Sequence, residues 1–195
     1  MNWRFITLIA VLSSISLVKV PLSVYAESLT QTTHKLVQSA GNYFDRASRK
    51  YENGDYRGAL VDFNESIRLK PDNANSYYNR GLVKVKLGDS QGAINDWNKS
   101  IQLKSNQPDV YYNRGLAKAE LGNLQGAISD WSESIRLNPS YASAYYNRGI
   151  AKDDLGDKYG SLADLRKSAQ LYQQQGNNKQ LQNVLKEINE IERSL

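Results

Sequence analysis

The block Tyr77-Tyr78-Asn79-Arg80-Gly81 returns as Tyr111-Tyr112-Asn113-Arg114-Gly115 and again as Tyr145-Tyr146-Asn147-Arg148-Gly149, a step of 34 residues both times. A second block, Gly-Ala-Leu-Val-Asp-Phe at 58–63, recurs at Gly92–Trp97 and Gly126–Trp131, and weakly at Gly160–Leu165. Gly54, Gly88, Gly122 and Gly156 stand between the blocks at the same step, so eleven of the thirteen glycines share one register. A period of this length marks a repeat array rather than an irregular single-core domain. Such an array stacks copies, each covering the apolar face of the next.

Each unit reads as two helices. The first carries the Tyr-Tyr-Asn-Arg-Gly block and stops at an in-register glycine, which accepts the left-handed conformation that ends a helix. The second runs, for example, through Ile94, Trp97 and Ile101 to Leu103, a near-helical apolar spacing. Pro71 and Pro139 close two units; the last has no such proline, so its second helix can run on to Gln175 before Gly176. The Gly-Ala pair opening each second helix predicts a close helix–helix approach there, since glycine in a helix costs about 1 kcal/mol and its recurrence needs a reason. Beyond the repeats, Leu181, Val184, Leu185, Ile188, Ile191 and Leu195 share one face of a final helix, as a cap for the open end of a stack requires.

These features resemble the tetratricopeptide repeat (TPR) family. With units at 40–73, 74–107, 108–141 and 142–175, repeat position 4 is Tyr43, Tyr77, Tyr111 and Tyr145. Position 8 is Ala47, Gly81, Gly115 and Gly149, position 20 is Ala59, Ala93, Ala127 and Ser161, and position 24 is Phe63, Trp97, Trp131 and Leu165. The chain departs from the family at position 7, which is Arg rather than Leu, and at position 11, which is Lys rather than Tyr. It is similar in this to exported bacterial repeats with an Asn-Arg-Gly block. The resemblance implies an all-α, right-handed solenoid of four helix-turn-helix repeats, with 176–195 as a capping helix.

At 100° per residue, positions 2, 5, 6, 9, 12 and 13 of each first helix share one arc, which the resemblance makes the lining of a concave groove. Tyr78, Tyr112 and Tyr146 at position 5, with Phe44 extending the row, and Asn79, Asn113 and Asn147 at position 6 are the candidate peptide-binding residues. Asn offers a donor and an acceptor to a peptide backbone, and Tyr offers rigid area with a polar tip. Their position on an exposed arc predicts that the Asn row contributes little to stability. Position 6 has no Lys or Arg, which argues against a clamp for a terminal carboxylate, and Asp109, Glu120, Asp153 and Asp154 favour a neutral or basic ligand. Arg46, Arg80, Arg114 and Arg148 at position 7 have natural partners in Asp62, Asp96, Asp130 and Asp164 at position 23; an anion-binding stripe made with the Lys row is the alternative.

Other chemistry finds no residues. Cysteine is absent and His34 is the one histidine, which removes disulfides, thiol chemistry and His-pair metal sites. No cofactor motif appears, and a net charge of +5 is no footprint for nucleic acid. The sequons Asn64-Glu65-Ser66 and Asn98-Lys99-Ser100 fall inside second helices and read as packing positions. Residues 1–26 have the order of a secretory signal peptide: Arg4, the uncharged Phe5–Val18, then Val24-Tyr25-Ala26 before Glu27. An uncleaved anchor over residues 5–26 is the alternative, and residues 27–39 read as a polar linker. The expectation is an exported, non-catalytic scaffold that takes a protein or peptide in its groove and, once processed, does not touch a membrane. The alternative is an assembly factor of an envelope or photosynthetic membrane that docks a folded partner on its convex face.

Overall fold

The computed structural model describes residues 22–195, among which nine helices follow one another without a strand. They are α1 (Leu22–Glu52), α2 (Tyr56–Leu69), α3 (Ala74–Lys86), α4 (Ser90–Leu103), α5 (Pro108–Glu120), α6 (Leu124–Leu137), α7 (Ala142–Asp154), α8 (Lys158–Gln174) and α9 (Asn178–Arg193). Each helix packs on the next in chain order, so the end of α1 with α2, and then α3/α4, α5/α6 and α7/α8, form four stacked hairpins. The turn inside each hairpin passes through Gly54, Gly88, Gly122 or Gly156 at φ between +79° and +84°, the conformation a Cβ disfavours.

The second helices start at a carboxylate or amide cap. Asp55, Asp89, Asn123 and Asp157 accept hydrogen bonds from the backbone N–H of Gly58, Gly92, Gly126 and Gly160. The close approach expected at those glycines is therefore local. A Cβ there would collide with the capping side chain itself, not with a neighbouring helix. The interhelical contact lies instead at position 8. Gly81 and Gly115 lie against the indoles of Trp97 and Trp131, whose Nε1–H groups donate to the carbonyls of Tyr78 and Tyr112. Where the first unit has Phe63 in place of Trp, position 8 is Ala47.

The core is a series of small clusters, one for each hairpin, built around Phe63, Trp97, Trp131 and Leu165. The last cluster is closed by α9, through Val184, Ile188 and Ile191. The capping stripe is thus buried at its centre, while Leu185 and Leu195 remain exposed.

The Arg and Lys rows converge on the same acids. Asp96, 4% exposed, receives Arg80 Nε at 2.8 Å, Arg80 Nη2 at 2.6 Å and Lys84 Nζ at 2.9 Å. Arg46–Asp62–Lys50, Arg114–Asp130–Lys118 and Arg148–Asp164–Lys152 repeat the triad. Each Arg also lies over the Tyr at position 4, at 4.9 to 5.6 Å from the ring centre. The third nitrogen reaches the preceding unit: Arg80 and Arg114 donate to Asn64 and Asn98, and Arg148 to Ser132. This occupies both rows internally, in place of an anion-binding stripe, and gives the sequon asparagines Asn64 and Asn98 a structural role.

Residues 27–39 differ from the expected linker, being helical as the start of α1. Their Thr hydroxyls donate back to carbonyls three or four residues earlier, Thr30 to Ala26 and Glu27, Thr32 to Ser28 and Thr33 to Thr30, so they are satisfied without leaving the helix. Tyr25 to Gln38 are exposed throughout. Residues 1–21, which carry most of the expected signal segment, lie outside the described residues. Among the described residues no helix is long and apolar enough to cross a membrane.

Candidate functional site

The first helices present the arc that holds the candidate residues, and the structure pairs most of them with one another. Asn113 Nδ2 donates to the Tyr78 hydroxyl at 3.1 Å and to the Asp109 carbonyl at 2.9 Å. Asn147 Nδ2 donates to the Tyr112 hydroxyl at 3.0 Å. Each Asn therefore holds the Tyr of the preceding unit, forming a ladder along the arc. The ladder begins at the second unit, since Phe44, which would face Asn79, has no hydroxyl. The expectation that the Asn row serves stability little is thus corrected for Asn113 and Asn147: both tie adjacent units, and the Tyr hydroxyls they serve are half-buried. Both amide hydrogens of Asn113 are engaged, while its Oδ1 receives no hydrogen bond from the described residues.

The arc has an open half and a filled half. Across α1, α3 and α5 lie two adjoining clefts that share Tyr51 and Leu82 as walls. One, about 260 Å³, contains Asn79 with Ser48 and Phe63. The other, about 240 Å³, contains Asn113 with Val85, Lys86 and Leu116. Farther along, Tyr112 stacks on Tyr141, ring centres 4.7 Å apart, and Ser143 shares a 2.7 Å hydrogen bond with the Tyr172 hydroxyl. Tyr141 and Tyr172 fill the arc there and were not singled out by position, because one precedes α7 and the other lies on α8. Tyr146 stands apart from the ladder, with Glu187 of α9 close enough to raise its pKa after burial has done the larger part.

Burial is the first cause that pushes the Tyr78 hydroxyl up to about 12, and the Asp109 carboxylate adds to it. Burial is likewise the first cause that raises Tyr141, and the Asp109 carboxylate adds to it. Asp109, itself exposed, thus acts on the Tyr hydroxyls of two units.

A family model described as TPR repeat matches residues 47–88, 84–122 and 117–156, more than half of the chain. The chain belongs to the TPR repeat family. As a TPR protein it also shares its fold with solved structures of low sequence identity. MamA is 23% identical with a TM-score of 0.66, covering 80% of this chain and 93% of that one. YrrB, a TPR protein with an unusual peptide-binding site, is 21% identical with a TM-score of 0.62, covering 77% and 81%. The first TPR of Spaghetti (RPAP3), bound to the HSP90 peptide SRMEEVD, is 22% identical with a TM-score of 0.60, covering 61% and 94%. No curated protein matches the sequence.

Proposed function

We propose that this chain is an exported, non-catalytic scaffold that holds an extended protein segment in its concave groove, chiefly across the first three units. The observation that carries the proposal is Asn113. Its amide hydrogens are engaged by Tyr78 and the Asp109 carbonyl, its own carbonyl oxygen has no donor among the described residues, and it lines an open cleft with largely apolar walls. Such an oxygen accepts a peptide N–H without reading the side chain that follows. Adjacent units stack about 10 Å apart, a helix-packing distance, and an extended peptide advances ~3.3 Å per residue, so successive units meet roughly every third residue. The peptide-bound TPR of RPAP3 and the peptide-binding site of YrrB support a peptide as the class of partner. Export rests on Arg4, Phe5–Val18 and Val24-Tyr25-Ala26.

The test is affinity capture from the envelope fraction of the host, wild type against Asn79→Ala/Leu116→Gln, with mass-spectrometric identification. Both positions line the clefts, and neither holds a ladder bond. Loss of the captured partners with an unchanged melting curve is the expected result. Equal capture by both chains rejects the groove and leaves docking on the convex face. N-terminal sequencing of the native protein checks export: a start at Glu27 is expected, and a start near Met1 rejects cleavage.

A further inference from the structure

The groove's charge is opposite in sign to that of the molecule. Its six arc positions in the four units hold six carboxylates, Asp45, Glu52, Asp109, Glu120, Asp153 and Asp154, against one ammonium, Lys86, a net of −5 in a chain whose formal charge is +5. None of the six has an ion-pair partner among the described residues, whereas Asp62, Asp96, Asp130 and Asp164 at position 23 each hold two cations. The acids therefore belong to a surface that the fold leaves electrically uncompensated. They run beside clefts whose walls are apolar, Leu82, Val85 and Leu116 with Tyr51. A uniformly acidic surface would attract any cation. One that adjoins apolar clefts selects a segment carrying both kinds of side chain.

We propose, resting on the groove reading above, that the occupant is a basic, extended protein segment with apolar side chains near every third residue and Lys or Arg between them. Two of the apolar side chains enter the two clefts. The cations meet Glu52 on α1 and Asp109 and Glu120 on α5. An acidic segment such as SRMEEVD, the peptide bound by the RPAP3 TPR, would meet like charge at the first, third and fourth units.

The experiment selects the full-length chain against a random twelve-residue peptide library and measures the selected peptides by fluorescence anisotropy. Enrichment of Lys and Arg with apolar residues three apart is expected. Affinity should fall as salt rises past the point where the Debye length drops under about 8 Å. Glu52→Gln/Asp109→Asn/Glu120→Gln should bind the same peptides roughly 3- to 100-fold more weakly, three exposed pairs at ordinary strength. Enrichment of neutral or acidic peptides that Asn79→Ala/Leu116→Gln still abolishes overturns the charge proposal and leaves the groove standing. Selected peptides indifferent to Asn79→Ala/Leu116→Gln, or no enrichment at all, overturn both.

Discussion

At the residue scale, two positions that look alike in sequence do different work. Asn79 and Asn113 occupy the same repeat position, yet Asn113 holds Tyr78, whereas the residue in that register to Asn79 is Phe44, which has no hydroxyl. Removing a donor from a half-buried hydroxyl costs about 0.5–1.5 kcal/mol. Asn113→Ala and Asn147→Ala should each lower chemical-denaturation stability by about that much, and Asn79→Ala should leave it unchanged; equal effects at all three would show that the ladder carries no energy. Glycine gives a second contrast. A Cβ on Gly115 would stand 2.6 Å from Trp131 Nε1, whereas one on Gly41 would meet nothing. Gly115→Ala should destabilise by about 1–2 kcal/mol despite better helix propensity, and Gly41→Ala should stabilise by about 0.5–1 kcal/mol, both read from urea midpoints. The Asn–Tyr ladder was legible in principle, since Asn113 follows Tyr78, and Asn147 follows Tyr112, by one period plus one. It is missed when each residue is assigned only to a face, because the bond forms between units and helical spacing describes one helix at a time.

At the element scale, the period and the helix stops were readable because glycine and apolar spacing act locally. The reason for Gly58, Gly92, Gly126 and Gly160 was not, because a wheel does not show that a cap three residues earlier curls over the helix. The helicity of residues 27–39 was hidden because Ser and Thr are weak helix formers and read as linker, while in a helix their hydroxyls are still satisfied by carbonyls three or four residues back. Pairing between helices was partly readable, as Arg with Asp at a constant spacing of sixteen, but the Lys that joins them adds a second cation to each acid. Removing Asp96 would leave Arg80 and Lys84, each about four-fifths buried, without a counter-charge. Asp96→Ala should therefore cost about 3–5 kcal/mol, seen as a clear fall in Tm, and an unchanged melting curve would reject the triad as a tie between the hairpin's helices. The first triad also sets an acid limit. Hydrogen bonds from Arg46, with Lys50 assisting, hold the Asp62 carboxyl at about 2. Its folded pKa lies below the unfolded value, so its contribution is complete above about pH 4 and is lost as pH falls towards 2. Asp62→Asn should flatten stability against pH in that window; an unaltered slope would assign the acid loss to other carboxylates.

At the scale of the whole molecule, the solenoid is asymmetric, and its stability should be too. In a stack of repeats each unit is held by its neighbours, so the ends are the weak points unless something covers them. Among the described residues no unit packs before the first: Arg46 is 53% exposed where Arg80 is 18%, and no ladder bond reaches Phe44. The last unit is covered by α9, which places Val184, Ile188 and Ile191 over Leu162 and Tyr172. It is fastened at its far end by Lys158 on the Ser194 carbonyl and by Arg166 on Glu192. Amide exchange should therefore start at the α1/α2 hairpin, with α7 and α8 among the last to open. Removing residues 176–195 deletes three buried side chains, at about 1.5–3 kcal/mol each, and exposes the surface they covered. A loss of roughly 4–9 kcal/mol is large against the 5–15 kcal/mol of an ordinary domain, so the shortened chain should melt far lower. The order of exchange should then reverse, with α8 opening before α2. If the shortened chain keeps its Tm and α8 stays the slower to exchange, α9 is not the cap. Its apolar face would then be free for a partner, and the last hairpin would have to hold itself through the Arg148–Asp164–Lys152 triad and the Asn147–Tyr112 bond alone.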